Sequence, residues 1–338
     1  MKFMDFKGKN ILITGGAGHI GSNLAINLVN QGAHVKIADN LWRGNLDYLR
    51  NGDGHIIDLD KDFLNLDLRI MENCEKSVKD AEIVFHLADV VAGIQYVFDN
   101  MGFVFRNNVL INSNMLAAAY KEKVDSFVYV GAACSYPQEK QHDPNAPPLK
   151  EHDMYPAHPE SAYGWSKLMG EYETELYSND KLMSTGILRL NNVYGPNSDL
   201  SPDRSQVIPA LIRKAILYPK EKFIVWGDGQ QSRNFVYVSD IVDALLAVVE
   251  KGLDKGPIQI GTEVKTKISE IAEMVIKVFG KDIPIEYDTS KPVGDLGRSS
   301  DFAMAREILG WEPKVSLEEG ISKTYEWSHS YLKEQGKI

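Results

Sequence analysis

Tyr163 and Lys167 stand one helical turn apart in Ala162-Tyr163-Gly164-Trp165-Ser166-Lys167, a spacing that puts both side chains on one helix face. Pro159-Glu160-Ser161 reads as the start of that helix. A free phenol titrates near ~10, and an ammonium beside it favours the phenolate, which would make Tyr163 a base usable near neutral pH. Y-x-x-x-K is frequent on its own, and the plain alternative is a helix that turns both side chains to water. Upstream, Cys134 stands in Gly131-Ala132-Ala133-Cys134-Ser135-Tyr136-Pro137. A thiol has a pKa of ~8.5, and an electropositive pocket lowers it into a range where it can take or return a proton. The alternative is a small apolar residue at a strand end. Cys74 has no such setting and reads as core filler. Two cysteines so far apart exclude a disulfide framework or a zinc knuckle, and no metal is expected.

These residues need a scaffold, and the first 45 residues carry its strongest signal. Asn10-Ile11-Leu12-Ile13-Thr14 is a short apolar strand that runs into Gly15-Gly16-Ala17-Gly18-His19-Ile20-Gly21 and a helical stretch from Ser22 to Gln31. Gly15 permits a tight turn, Gly18 lets backbone approach a pyrophosphate, and Gly21 lets helix pack on strand, while the helix N-terminus offers amides to the anion. A second strand, His34 to Ala38, ends at Asp39, a carboxylate suited to both ribose hydroxyls of adenosine and repulsive to a 2′-phosphate. The expected cofactor is therefore NAD rather than NADP, a preference that Arg43 nearby weakens slightly. Leu66-Asp67-Leu68 falls where a loop after a third strand reaches an adenine edge. Glu82 to Ala88 is a fourth strand, in which His86 reads as packed rather than reactive. Residues 103–121 have helical apolar spacing, and Ser126 to Val130 is a fifth strand that delivers residues 131–167 to its carboxyl end. Strands apolar throughout predict a parallel sheet covered on both faces, so the fold class is α/β, a Rossmann-type doubly wound parallel sheet. Ligands bind at the carboxyl edge of such sheets.

The chain of 338 residues has ample apolar content for a core, and its net charge of -10 argues against a nucleic-acid surface. No apolar run near the start suits a signal peptide or a membrane span, so a cytoplasmic protein is the default expectation. The charged amphipathic stretch from Glu318 to Ile338 reads as a helix that faces solvent.

The glycine motif T-G-G-x-G-x-I-G, the H-L-A after strand four, Y-x-x-x-K, Arg189-Leu190-Asn191-Asn192-Val193-Tyr194-Gly195-Pro196, Trp226-Gly227-Asp228-Gly229 and Gly310-Trp311-Glu312-Pro313 together resemble the extended short-chain dehydrogenase/reductases that modify nucleotide sugars. The likeness spans essentially the whole chain. Ala133-Cys134-x-Tyr136-Pro137 and Pro292-x-Gly294-x-x-Gly297-Arg298-x-Ser300-Asp301 are most similar to the GDP-mannose 3,5-epimerase group, and Ser205-Gln206-Val207-Ile208-Pro209 to the GDP-fucose synthase group. The resemblance implies an NAD-binding part over residues 1–190, completed by portions of 232–260, and a smaller carboxyl-terminal α/β lobe over 191–338 that mainly holds the nucleotide sugar. It implies cofactor contacts from Gly15, Gly18, His19, Ile20, Gly21, Asp39, Asn40, Asp67, Leu68, Leu87, Ala88, Tyr163 and Lys167, and diphosphate contacts from Asn192, Arg233 and Arg298. A homodimer through helices flanking the sheet is also implied.

In the scheme that this family implies, Tyr163 takes a proton from a sugar hydroxyl as hydride passes to NAD, Lys167 holds ribose and phenolate, and Cys134 exchanges a proton at carbon beside the new ketone. The chain departs from the pattern twice. Ala132 stands where the family carries a serine or threonine that bonds the reacting hydroxyl, and if strand alternation continues, Ala132 and Cys134 share a face while Ser135 points away. The loop that carries a second proton donor in both groups offers Asp203, Arg204 and Gln206, and glutamine exchanges no proton. The leading expectation is an NAD-dependent epimerase of a GDP-linked sugar, acting through transient oxidation at C4. A C4-epimerase, a net dehydrogenase and a weakened NAD and nucleotide-sugar binding protein are the alternatives.

Overall fold

In the computed structural model, which describes residues 5–338 apart from Asp53, Pro144 and Asp295, the apolar runs between residues 10 and 190 form strands. These are β1 (Asn10–Thr14), β2 (His34–Ala38), β3 (Phe63–Leu64), β4 (Ile83–His86), β5 (Ser126–Ala132) and β6 (Ser184–Leu190). β7 (Asn192–Tyr194) and β8 (Phe235–Tyr237) make a separate parallel pair. β9 (Pro257–Ile260) then joins the edge of the main sheet, whose seven strands run β9-β6-β5-β4-β1-β2-β3, all parallel. Every residue of β5 is buried, as a strand covered on both faces requires. β5 runs two residues further than its apolar signal at Val130, and of residues 232–260 the part that joins the main sheet is 257–260.

Eight helices matter for the site: α1 (His19–Asn30), α2 (Met71–Val78), α3 (Met101–Glu122), α4 (Ala162–Asn179), α5 (Val207–Leu217), α6 (Val238–Ala247), α7 (Ile268–Phe279) and α8 (Leu317–Glu334). α3 buries Val104, Asn108, Ile111, Met115 and Ala119, one stripe at helical spacing, and stops where Lys123 turns left-handed at φ 63°. α4 begins where the Ser161 side chain accepts the Gly164 N–H at 3.2 Å. Each large apolar side chain fully buried in these layers contributes roughly 1.5–3 kcal/mol. α4 is also fixed to the sheet by an ion pair. Glu171 receives Arg189 Nε at 2.8 Å and Nη2 at 2.6 Å, with both side chains under 5% exposed.

A second core gathers Leu211 and Ile212 of α5, Ile271 and Val275 of α7, and Ile321 and Leu332 of α8. The carboxyl-terminal helix thus differs from its expected role as a solvent-facing tail. Its apolar stripe closes this core, and Tyr331 Oη accepts from Asn45 Nδ2 at 2.8 Å. Among the described residues no helix is long and apolar enough to cross a membrane.

Candidate active site

From β1 the chain proceeds to β2 and β3 on one side, and from β4 to β5 and β6 on the other, so a crevice opens between the loops that leave β1 and β4. Gly15 makes the first turn at φ +68°, and a Cβ there would stand 2.9 Å from the Ala88 nitrogen. Only glycine lets the two loops approach so closely. Thr14 Oγ1 accepts the N–H groups of Leu87 and Ala88 at 3.2 and 3.1 Å and meets His86 Nδ1 at 2.7 Å. Gly21 lies where any side chain would strike the Gly15 carbonyl. Gly18 caps α1 without a side-chain hydrogen bond, and no acidic residue occupies the first turn, which leaves that helix end suited to an anion.

Asp39, 8% exposed, accepts the Leu41 and Ala17 N–H groups at 2.8 and 3.1 Å. Burial pushes its carboxyl up and these two amides pull it back. Two amides leave carboxylate lone pairs for ribose hydroxyls. His19 is half-buried, with its Nε2 buried and lacking a hydrogen-bond partner among the described residues; desolvation and the Arg43 charge hold its pKa down at about 3, so it is neutral. A glycine cradle, an open helix end, a buried carboxylate and an orphaned ring nitrogen fit a dinucleotide. Ile20 packs half-buried beside the cradle. Asn40 turns its carbonyl to the Trp42 N–H, Asp67 is taken up by Arg69, and Leu68 is core. Arg43 is likewise engaged. Its guanidinium donates to Asp199 Oδ2 at 3.3 Å and to the Val91 and Arg204 carbonyls at 3.1 Å each, while Arg204 Nη1 donates to the Trp42 carbonyl at 3.0 Å.

α4 and the end of β5 bring Tyr163, Lys167 and Cys134 into one region. Lys167 Nζ donates to the Val130 carbonyl at 2.7 Å and lies 5.2 Å from the Tyr129 ring centroid. It also forms a buried ion pair with Asp89. Burial raises the Tyr163 phenol well above its ordinary value, with the charges of Asp89 and Cys134 adding and Arg43 opposing. The ammonium expected to act on the phenol is thus engaged by a carboxylate, and Asp89 is the site residue that sequence reasoning missed. Its signal was an acid directly after His86-Leu87-Ala88, at the carboxyl end of β4. His86, held between Thr14 and Asn112 and depressed to about 3 by burial, is a packed residue as expected.

Beyond Ala132 the strand ends in a tight turn over Ala133–Ser135, so strand alternation does not govern these side chains. Ser135 Oγ donates to the Gly164 carbonyl at 3.0 Å, pinning the start of α4. Cys134, half-buried, receives Arg298 Nη1 at 3.4 Å, and Arg298 Nε donates to Gln141 Oε1 at 2.5 Å. Gln141 in turn accepts the Leu296 and Gly297 N–H groups on its backbone oxygen, both at 3.1 Å. Arg298, expected on a diphosphate, is thereby brought to the thiol. Asn192 Nδ2 donates to the Asn234 carbonyl at 3.2 Å, and Arg233 donates to the carbonyls of Ser232 and Val293. Gln206 is exposed at the N-cap of α5. Cys74 is buried, donates to the Leu68 carbonyl and is pushed up to about 12 by burial. Among the described residues no group of three or more His, Cys, Asp and Glu side chains could hold a metal ion.

The chain is 34% identical over 325 residues to GDP-mannose 3,5-epimerase 1 of Oryza sativa subsp. indica, covering 96% of this chain and 82% of the relative. It is 32% identical over 318 residues to a putative UDP-glucose 4-epimerase of Methanocaldococcus jannaschii, covering 94% and 97%. The structure of UDP-glucose 4-epimerase with UDP-glucose from Thermotoga maritima superposes with a TM-score of 0.84 at 29% identity, over 96% of this chain and 99% of the other. Residues 11–261 match the profile of the NAD dependent epimerase/dehydratase family.

Proposed function

We propose that this chain, which belongs to the NAD dependent epimerase/dehydratase family, is an epimerase of a GDP-linked sugar that works through transient oxidation at C4. The observation that supports this reading above a simple C4 inversion is a thiol, Cys134, beside an arginine and in the same region as Tyr163. NAD, held by the Gly15–Gly21 turn and Asp39, would supply the hydride acceptor and donor for the reversible oxidation. Tyr163 takes the hydroxyl proton in the first direction and gives it back in the second. The intermediate ketone acidifies the neighbouring C–H bonds, and Cys134 exchanges the proton there, with Arg298 donating to its sulfur. Residues 191–338 supply most of the nucleotide-sugar site, with Asn192 and Arg233 assigned to it. GDP follows the rice relative; the Methanocaldococcus and Thermotoga proteins carry UDP in their names and favour, as the second reading, inversion at C4 alone.

Incubation with a panel of GDP- and UDP-sugars in deuterated water, read by NMR, tests both. Deuterium at C3 or C5 is the expected result. Inversion at C4 without deuterium would transfer the assignment to the second reading, release of NADH would mark a dehydrogenase, and an unchanged panel would mark a binding protein.

The proposal extends to a homodimer. Met101 and Phe105 of α3 and Trp165 and Met169 of α4 line one groove, and Tyr172 and Leu176 of α4 are exposed as well, which leaves large apolar side chains of both helices uncovered. Sedimentation should give twice the mass of the chain at micromolar concentration, and a single-chain mass would overturn it.

A further inference from the structure

Asp89 carries a buried charge that the proposed chemistry does not use. It directly follows Ala88, which the Gly15 turn approaches, and so lies between the glycine turn and α4. Its side chain is 2% exposed, and apart from the ion pair neither oxygen accepts a hydrogen bond among the described residues. An isolated carboxylate in such a place is costly, and a cation against it offsets that cost. The loop is held independently of the charge. Asn108 accepts the Val90 N–H at 2.7 Å and donates from Nδ2 to the Val90 carbonyl and to Ser166 Oγ, both at 3.2 Å. The backbone therefore presents Asp89 to α4 whether or not Lys167 responds. The ammonium has three donors; Val130 takes one and Asp89 another, which leaves one for the phenol or a ligand hydroxyl.

We propose that Asp89 is a positioning residue for the Tyr163 base: its carboxylate neutralises the Lys167 ammonium in the ligand-free protein and so withholds from Tyr163 the positive charge that would draw off its proton. This rests on the reading of Tyr163 as the base. The neighbouring elements supply the other groups in play: Arg43 from the loop after β2, which favours the phenolate, and Cys134 from the turn after β5, which opposes it. Arg298 stands behind Cys134, while Tyr129 and the neutral His86 flank Lys167. Asp89 adds an anion that holds the phenol protonated, burial acts in the same direction, and the same carboxylate pairs with the ammonium one turn along α4.

Ultraviolet difference titration of the phenolate tests this without substrate. Subtracting Tyr163→Phe from the wild type isolates one of the chain's 15 tyrosines. That difference should stay flat across the pH range in which the protein remains folded. The same subtraction between Asp89→Asn and Asp89→Asn/Tyr163→Phe should show phenolate forming, about tenfold more at the alkaline end of that range, the equivalent of a titration moved by about one pH unit. Asp89→Glu, which keeps the charge, should remain flat. Should Asp89→Asn fail to fold, as judged by circular dichroism, Asp89→Ser takes its place with the same expectation. A flat difference in the charge-removed variant would overturn the proposal. Hydride transfer surviving in Tyr163→Phe would instead remove the base assignment, and the titration would still report whether Asp89 governs the phenol.

Discussion

Tyr163→Phe is expected to slow hydride transfer by about 10²- to 10⁴-fold, the range of a positioned general base, while leaving NAD bound. Phenylalanine keeps a ring at the first turn of α4 and removes only the hydroxyl proposed to accept the sugar proton. The cofactor cradle of Gly15, Gly18, Gly21 and Asp39 lies on other elements and is undisturbed. The pH profile sharpens the test. Burial raises the Tyr163 phenol above its ordinary value, so below that titration the reactive phenolate grows as pH rises, and the wild-type rate should climb through neutral pH. The variant should lose that slope along with its rate. Stopped-flow absorbance of bound NADH in a single turnover measures both, and calorimetry confirms that NAD still binds. A variant that reduces bound NAD at more than about a tenth of the wild-type rate would exclude Tyr163 as the base.

The largest expected effect on stability lies about two turns further along the same helix. Glu171→Ala should cost about 3–5 kcal/mol, because it strands the Arg189 guanidinium in the interior. Arg189 is otherwise bound by Nη1 to the Glu151 carbonyl at 2.8 Å and to Tyr136 Oη at 3.3 Å, and its side chain is 4% exposed, so water cannot replace the lost carboxylate. The double variant Glu171→Leu/Arg189→Met, which removes both charges and keeps apolar volume, should recover most of the loss. Urea unfolding of the three proteins decides the matter. A single variant within ~1 kcal/mol of the wild type would mean that the pair is not what fixes α4 to β6.

These two predictions differ in how far the sequence alone supports them. The Gly15 turn, Asp39 and the Tyr163–Lys167 spacing are local, because each is written within a few residues of the element that uses it and obeys the geometry of a single turn or helix face. Asp89 against Lys167, Arg298 against Cys134 and Glu171 against Arg189 are not local. They depend on which strands become neighbours and on where a loop is clipped, and the chemistry of one residue says nothing of its partner in a distant segment. Strand alternation failed at Cys134 because the chain turns tightly straight after Ala132. The tail helix read as solvated because its charges outnumber its apolar stripe, and only the second core shows what Ile321 and Leu332 are for.

The engagement of Arg43 has a thermodynamic meaning. It rises from the loop that follows Asp39, yet its donors end on Asp199 and on the carbonyls of Val91 and Arg204, and Arg204 returns the contact at Trp42. The segment that follows Asp39 and the segment leading into α5 therefore share a single set of hydrogen bonds. If those bonds are tightened or loosened when either ligand arrives, the free energy involved belongs to both binding equilibria at once. Linkage then requires reciprocity: whatever factor the cofactor imposes on affinity for the sugar nucleotide through this latch, the sugar nucleotide imposes on affinity for the cofactor.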